Sequence, residues 1–198
     1  MYITQTLSFI NDGDMQMIQD LYSKKLVDKI KYATSTTYQH RRITSRLMLV
    51  KIFEQLGISR DELKTISYST TGALIGPAGF NICFSYTNNQ TACLISTEAI
   101  GMDMECTAVE PKAQHLSLLA QITGEPVEDT LNYYRIWTRL ESITKLYKNQ
   151  SLSTIIYGSI LKREHFVKQY QLKDNYLLSL AHASYYQTLD QINYINIF

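Results

Sequence analysis

Two acidic residues alternate with two methionines in the stretch Ala99–Cys106, and their spacing suits them to hold a metal ion. In a β-strand successive side chains point to opposite faces, so Asp103 and Glu105 share one face while Met102 and Met104 share the other. Two carboxylates on one rigid strand meet the needs of a hard cation such as Mg²⁺, whose other positions stay with water or phosphate oxygens. The alternative is an edge strand with a solvated acidic face, which is common in antiparallel sheets. A third acid would favour the metal site.

A third acid lies on a predicted helix further along the chain. The helical pattern begins near Val127 and continues to Lys148, and it carries Trp137, Glu141 and Lys145 at positions i, i+4 and i+8, which share one stripe. The alternative is an ordinary Glu–Lys surface pair, which stabilises a helix by roughly 0.3 kcal/mol. Joined to the two strand acids, Glu141 completes a predicted site of three carboxylates.

Two N-terminal helices are predicted to carry a local basic surface. Apolar residues recur at helical spacing over Asp14–Tyr32, which predicts one amphipathic helix, or two short helices broken near Ser23. The next helix covers about Thr37–Leu56, and Gly57 is placed where a left-handed cap belongs. The basic residues on these helices are Lys24, Lys25, Lys29, Lys31, Arg41, Arg42 and Arg46. They form either a solvated helix face or a phosphate-binding patch.

Strands fill much of the remaining chain. The predicted strands are Ile66–Tyr68, Phe80–Tyr86, Thr91–Ser96, Ile100–Glu105, Thr154–Ile160, Phe166–Leu172 and Tyr176–Ala183. The second and third form a hairpin and the fourth follows at once, which predicts a small antiparallel meander. A further helix begins near Pro111 and ends at Gly124. The last fifteen residues are expected to pack as an irregular tail. The order of elements predicts two similar halves.

Composition excludes several classes of protein. With 45% hydrophobic residues and a net charge of +1 over 198 residues, the chain favours neither disorder nor a nucleic-acid-binding surface. It has no apolar run near the ~20 residues that span a bilayer and no signal-peptide pattern, which predicts a cytoplasmic protein without membrane association. Three cysteines without a C-x-x-C pair disfavour a disulfide framework and a structural zinc site.

Two motifs of this chain together resemble the paired signature of the 4′-phosphopantetheinyl transferases. The strand Gly101–Glu105 is similar to the family's G-x-D-x-E motif, and the helical segment Trp137–Lys145 is similar to its W-[ST]-x-K-E-[AS]-x-x-K motif. The layout around them is also similar, with an arginine-containing helix, a Phe80–Ile82 strand before the acids and Leu178–Ala181 in the last strand. The resemblance spans nearly the whole chain, and the length suits the surfactin-type branch.

The resemblance implies a fold and a division of the chain. Surfactin-type enzymes are monomers with an α+β fold, in which two similar half-domains, each a small antiparallel sheet with helices, are related by pseudo-twofold symmetry with the active site between them. Residues 1–100 would form the coenzyme A-binding half-domain. Residues 101–198 would form the half-domain with the acidic strand and the catalytic helix.

The resemblance also implies an activity. Such enzymes transfer 4′-phosphopantetheine from coenzyme A to a serine of an apo acyl or peptidyl carrier protein, in fatty-acid, polyketide or nonribosomal-peptide synthesis, and release 3′,5′-adenosine diphosphate. If the family's roles apply to the matching positions of this chain, Asp103, Glu105 and Glu141 would hold Mg²⁺. Glu141 would accept the serine proton, directly or through water, and Lys145 would steady the diphosphate or the departing phosphate.

By the same resemblance, coenzyme A phosphates would bind to the N-terminal half. Lys29 with Arg41 or Arg42 would hold them on the basic surface, and Ser85 would add a hydroxyl from the strand that precedes the acids.

Three departures from the family pattern remove positive charge or a donor from this nucleotide side. The family's Asn-Ile-Ser-His-Ser run has Cys83 and Phe84 here, so a phosphate-binding histidine is replaced. Its Gly-Lys-Pro-like segment reads Gly72–Leu74, with Ala73 in place of the lysine, and Leu140 replaces the lysine before the helix glutamate. All three predicted metal ligands remain.

Two hypotheses follow. The first is a Mg²⁺-dependent phosphopantetheinyl transferase, with activity reduced by these departures unless Lys24, Lys25 or Arg46 binds the cofactor instead. The second is a non-catalytic or weakened relative that keeps the fold and binds a carrier protein or a synthase. A different Mg²⁺-dependent phosphoryl enzyme is a weaker third idea, because the sequence has no P-loop or other phosphate fingerprint.

Overall fold

The computed structural model describes residues 1–70, 73–147, 166–183 and 193–194. The chain divides into two compact units, one of Met1–Glu98 with Leu189–Phe198 and the other of Ala99–Thr188. The described helices are α1 (Asp12–Leu21), α2 (Lys24–Lys31), α3 (Thr36–Gln55), α4 (Ala113–Thr123) and α5 (Thr130–Leu146). The described strands are β1 (Tyr2–Gln5), β2 (Ser67–Tyr68), β3 (Leu74–Ile75), β4 (Asn81–Thr87), β5 (Gln90–Ser96), β6 (Ile100–Cys106), β7 (Phe166–Gln171), β8 (Tyr176–His182) and β9 (Asn193–Tyr194). The helices and two sheets confirm the predicted α+β class.

Capping residues fix the helix ends of the first unit close to where the sequence predicts them. Asn11 and Asp14 cap α1 reciprocally, since the side chain of each accepts a hydrogen bond from the backbone N–H of the other. Ser23 stands between α1 and α2, which confirms two helices broken at this residue. Gly57 follows α3 with a φ of 73°, the left-handed cap that the sequence predicts.

Helix α3 forms the centre of the first unit's core. Its buried apolar residues are Ile43, Leu47, Met48, Leu49, Val50, Ile52 and Phe53. They pack with side chains of α1 and α2 and with Ile82 and Cys93 of the sheet. Removing this apolar surface from water, at about 25 cal/mol per Å², is the main stabilising term. Arg46 lies in the same buried stretch and is only 1% exposed.

The sheet of the first unit has the strand order β2-β3-β4-β5-β1-β9. Strands β4 and β5 form the predicted hairpin, which turns at Asn88 with a φ of 39°. Strand β1 pairs with the other side of β5, where the sequence predicts β6. The predicted meander is therefore wrong, because a strand from the chain's N-terminus takes that edge and β6 joins the other sheet.

Strand β9 corrects part of the predicted tail. It pairs in parallel with β1, and the backbone N–H of Asn193 donates to the carbonyl of Met1 at 2.9 Å. Asn193 and Tyr194 are thus a strand where the sequence predicts irregular structure. The predicted strand Thr154–Ile160 lies outside the described residues.

The second unit has a three-stranded antiparallel sheet with β8 between β6 and β7. Strands β7 and β8 are joined through Lys173–Asn175, the turn that the sequence predicts. Helix α4 ends at Gly124, and the side chain of Asp129 caps α5 by accepting from the N–H of Asn132. Helix α5 packs across β6 and β8. None of the helices in the described ranges has the length and apolar character of a bilayer crossing.

Candidate functional site

Strand β6 presents its acids and methionines to opposite faces, as the alternation predicts. Asp103 pairs with Ser179 of β8, and Glu105 lies two residues further along on the same face. Met102 and Met104, on the other face, are buried. Asp103 is itself only 4% exposed, since α5 covers this region. A solvated acidic face therefore does not describe Asp103.

Gly101 allows α5 to lie very close to β6. A Cβ on Gly101 would stand 1.8 Å from the carbonyl oxygen of Ser142 and 2.5 Å from the backbone nitrogen of Leu146. Both atoms belong to the helix backbone, which cannot move aside as a flexible side chain can. The glycine of the strand motif thus sets the distance between the two elements, and it lets Lys145 of the helix reach Asp103 of the strand.

A partly buried ion pair joins the two elements. Nζ of Lys145 donates to Oδ1 of Asp103 at 2.6 Å, with side chains 29% and 6% exposed. Such charge-assisted hydrogen bonds are short and about twice as strong as neutral ones. Lys145 therefore links α5 to β6, rather than only supporting its own helix as the surface-pair alternative supposes.

Glu141 lies one turn before Lys145 on α5 and is half-buried. Burial raises the pKa of Glu141, the neighbouring charge of Asp103 raises it further, and Lys145 opposes both effects. A carboxylate with a raised pKa is a stronger proton acceptor near neutral pH than an ordinary one. We call Asp103, Glu141 and Lys145 the acid–lysine cluster.

Glu105 belongs to different surroundings. It lines a cavity of about 330 Å³ together with Tyr133, Tyr134 and Trp137. The rings of Tyr133 and Trp137 stack in parallel with centroids 6.4 Å apart. Burial raises the pKa values of Tyr133 and Tyr134, and the charge of Glu105 raises them further. The charge of Glu105 thus acts on these tyrosines, whereas the charges of Lys145 and Asp103 act on Glu141.

The three predicted metal ligands are therefore brought together only in part. In residues 1–70, 73–147, 166–183 and 193–194, no three Cys, His, Asp or Glu side chains are near enough to hold one metal ion. Asp103 and Glu141 do offer two carboxylates in one neighbourhood. That donor set fits Mg²⁺, which commonly takes one or two protein carboxylates and keeps water or phosphate oxygens at its other positions.

A hydrogen-bond network holds α5 on the sheet beside this cluster. The hydroxyl of Thr138 donates to the carbonyl of Tyr134, and Thr138 and Ser179 share a hydrogen bond of 2.7 Å between their hydroxyl oxygens. The side-chain amide of Gln169 donates to Ser179 and to the carbonyl of Arg135, both at 2.8 Å. These bonds link α5, β8 and β7 across the same face that carries Asp103.

In the first unit, Lys29 and Arg42 line one cavity of about 740 Å³. Arg42 donates to the hydroxyl of Tyr68 at 3.1 Å and to that of Tyr38. Nζ of Lys29 lies 3.6 Å from the centroid of the Tyr68 ring, a cation–π contact. Two of the predicted phosphate-binding cations therefore share a cavity, and tyrosines hold them there.

Arg42 keeps its charge in this setting. Burial alone would lower its pKa, but Tyr86, Tyr68 and Tyr38 outweigh burial, so the pKa of Arg42 is raised above its ordinary value. A guanidinium is cationic at any physiological pH in any case.

The other two predicted phosphate-binding residues, Arg41 and Ser85, do not line this cavity. Ser85 is 2% exposed on β4. Arg41 precedes Arg42 on α3, where a step of one residue turns the side chain by about 100°.

The departures from the family pattern have structural counterparts. Leu140 is 1% exposed and belongs to the core of the second unit, with Tyr133 and Leu177. Ala73 is also buried, while Gly72 lies outside the described residues. Cys83 is buried as well, so only Phe84 among these residues is partly exposed in its strand.

Sequence reasoning did not find the tyrosines of either cavity. Tyr68 and Tyr38 meet Arg42 across 26 and 4 positions of the chain. The only signal in the sequence is composition, because 15 tyrosines against one tryptophan indicate many half-buried phenols without saying which. His115, to which the sequence assigns no role, lines the Glu105 cavity.

No known protein family model and no curated protein matches this chain.

Proposed function

We propose that this protein is a Mg²⁺-dependent 4′-phosphopantetheinyl transferase. The supporting observation is that the two halves of the motif, the strand Gly101–Glu105 and the helical segment Trp137–Lys145, lie against each other although about 30 residues separate them in the sequence. They meet through Gly101 and through the bond from Lys145 to Asp103. Glu141 lies on the same helix with a raised pKa. Residue types, spacing and contact therefore agree with the resemblance.

The proposed reaction uses the acid–lysine cluster for proton transfer and charge. The serine oxygen of the carrier forms a bond to the phosphorus nearer the pantetheine, the bond from that phosphorus to the bridging oxygen breaks, and 3′,5′-adenosine diphosphate leaves with the electron pair. The serine proton passes to a carboxylate oxygen of Glu141, directly or through water. Lys145, held in place by Asp103, stabilises negative charge on the departing phosphate.

Mg²⁺ is part of this proposal. Asp103 and Glu141 would hold it, with Glu105 as the third ligand that the resemblance implies. When bound, the ion would neutralise charge that develops on the diphosphate. In the described structure the ammonium of Lys145 balances the charge of Asp103.

The remaining features of the proposal come from the resemblance. They are an apo acyl or peptidyl carrier protein as partner, coenzyme A as co-substrate bound with Lys29 and Arg42, a cytoplasmic location and a monomer of two similar half-domains. Each unit does have one long helix and a β-sheet, α3 with a mostly antiparallel sheet in the first and α5 with an antiparallel sheet in the second.

The test is the intact mass of an apo carrier protein after incubation with this protein, coenzyme A and Mg²⁺. We expect a phosphopantetheine-sized gain with the wild type and none with Glu141→Ala. Glu128→Ala, which changes an exposed glutamate before the same helix, is the matched control and should behave as the wild type. No gain across several carriers with folded wild-type protein would overturn the proposal.

The second candidate function is a non-catalytic module that binds a carrier protein or synthase. One observation favours it: the lysine expected before the helix glutamate is Leu140, a core residue. Coenzyme A binding separates the two candidates. Quenching of Trp137 fluorescence by coenzyme A that requires Mg²⁺ supports the transferase, whereas unchanged fluorescence supports the module.

A further inference from the structure

The cavity of Lys29, Arg42 and Tyr68 has a third cation behind it. Arg46 is buried, and its guanidinium donates to the hydroxyl of Tyr68 at 3.3 Å and to Oγ of Ser45 at 3.4 Å. No carboxylate forms an ion pair with Lys29, Arg42 or Arg46 in the part of the chain that the structure describes. Burying a cation without an anionic partner costs free energy. Of the described residues that line the cavity, Asp28 alone carries a carboxylate, and it forms no ion pair with these cations, so an anionic ligand would supply the remaining counter-charge.

Tyr68 is the residue that all three cations share. A phenolic hydroxyl has one proton and two acceptor positions. Arg42 and Arg46 donate to its oxygen, at 3.1 and 3.3 Å, and so use both acceptor positions. Among the described residues no group accepts the hydroxyl proton, and Tyr68 lines the cavity. Two guanidinium donors polarise the O–H bond and make it a stronger donor.

We propose that Tyr68 donates a hydrogen bond to a phosphate oxygen bound in this cavity. Lys29 and Arg42 supply the charge that attracts the phosphate. Arg46 is a positioning residue that acts through the Tyr68 hydroxyl. The proposal rests on the proposed function only in naming the phosphates as those of coenzyme A. The cavity volume, about 740 Å³, is within the range of sites for ligands of nucleotide size.

Arg46 also lies close to Phe84, the residue that replaces the family's phosphate-binding histidine. The guanidinium of Arg46 lies 5.8 Å from the centroid of the Phe84 ring, so a cation stands beside the position where the family pattern has a phosphate-binding histidine. Arg46 and Tyr68 together return a positive charge and a donor to the nucleotide side.

The first test is calorimetric titration of the full-length protein with inorganic pyrophosphate in the absence of Mg²⁺. We expect Tyr68→Phe, which keeps the ring beneath Lys29, to weaken binding about tenfold, the effect of one lost hydrogen bond to a charged group. Tyr22→Phe is the matched control, because its hydroxyl bonds the carbonyl of Arg46 at 2.6 Å and leaves the guanidinium in place. The control should bind as the wild type. Equal affinities of Tyr68→Phe and wild type, or no binding by the wild type, would overturn the proposal.

Arg46→Met separates positioning from structural support. Replacing a buried cation that has no carboxylate partner with an apolar side chain of similar length is expected to leave the melting temperature unchanged or raise it. The same variant should weaken pyrophosphate binding several-fold. A lowered melting temperature with unchanged affinity would show that Arg46 only supports the fold.

Two further arms keep this inference distinct from the transferase. Lys29→Gln changes an exposed cation and leaves Tyr68 in place. If this variant binds pyrophosphate as the wild type does, the cavity is not the binding site, whether or not Tyr68→Phe folds. Coenzyme A and 3′-dephospho-coenzyme A are then compared, and a Tyr68-dependent difference between them would identify the 3′-phosphate as the group bound. Transfer without Tyr68-dependent binding refutes only this inference. Tyr68-dependent binding without transfer refutes only the enzyme.

Discussion

Helices α3 and α5 each carry two charged side chains one turn apart, Arg42 with Arg46 and Glu141 with Lys145. On α3 both charges are positive and their bonded partners are neutral hydroxyls, above all that of Tyr68. On α5 the charges are opposite, and a strand carboxylate adds to them. The first arrangement leaves net positive charge in a cavity, whereas the second contains its own counter-charge.

The difference predicts two kinds of chemistry. The cavity of Lys29 and Arg42, with Arg46 behind it, has more cations than carboxylates, of which Asp28 lines it, so it attracts an anion without a change of protonation. The acid–lysine cluster contains Glu141, whose pKa is raised, so it is suited to accept a proton or to exchange its lysine charge for that of a metal ion. The following changes test this contrast, from the largest expected effect to the smallest.

Gly101→Ala should have the largest effect, because a Cβ there meets the backbone of α5. Overpacking of this kind costs about 3 kcal/mol, and it should also separate Lys145 from Asp103 and abolish transfer. Gly13→Ala within α1, where a Cβ would meet only a side-chain oxygen at 3.0 Å, is the control. Urea unfolding measures both variants, and equal stability of Gly101→Ala and wild type would contradict the close packing.

Asp103→Asn should cost about 1–3 kcal/mol, because it removes the carboxylate charge that accepts the short hydrogen bond from the partly buried ammonium of Lys145. Adding Lys145→Met should restore part of that stability, since the ammonium that lost this carboxylate is then gone. Asp61→Asn, at an exposed carboxylate, should change little. The double-variant cycle is measured by thermal unfolding. Strict additivity would mean that the two side chains do not interact.

Mg²⁺ should raise the melting temperature of the wild type but not that of Asp103→Asn. Binding to the folded state alone stabilises it by about 2.7 kcal/mol at a hundredfold excess over Kd. Pyrophosphate without Mg²⁺ should stabilise both proteins equally, because its cavity is in the other unit. An equal response of both proteins to Mg²⁺ would remove Asp103 from the metal site.

Glu141→Gln should have the smallest and most pH-dependent effect on stability. Because the folded state raises the pKa of Glu141 above its ordinary value of 4.5, folding favours the protonated form. The wild type therefore loses stability as the pH rises from below that value to above the folded pKa, and the glutamine variant does not. The variant should be the more stable near neutral pH, with the gap closing in acid. A gap that widens on acidification in urea unfolding experiments would reverse the sign of the pKa shift.

Local signals in the sequence predicted the helices and the faces of β6, whereas pairing over long range was not predictable. The helix ends at Ser23, Gly57 and Gly124 follow from backbone rules that a single residue obeys. The edge of β5 is taken by β1, whose residues lie about 90 positions earlier. No local pattern distinguishes that partner from the nearer β6.

In the candidate site too, the local geometry was predictable from the sequence and the long-range contacts were not. Asp103, Glu141 and Lys145 come together because the periods of a strand and a helix fix which residues share a face. Glu105 is on the predicted face but is coupled to Tyr133 and Tyr134. The sequence alone does not specify the direction in which α5 crosses β6. That direction determines which acidic residue of the strand contacts which residue of the helix.

The hydroxyl network of Thr138, Ser179 and Gln169 has a consequence for how the second unit opens. Because the network joins α5 to both β8 and β7, the helix cannot leave the sheet without breaking side-chain hydrogen bonds in three elements at once. These elements should therefore exchange their amide hydrogens as one cooperative group, at rates set by a shared opening. Asp103, whose side chain is 6% exposed, would then become fully accessible to solvent only when the whole group opens.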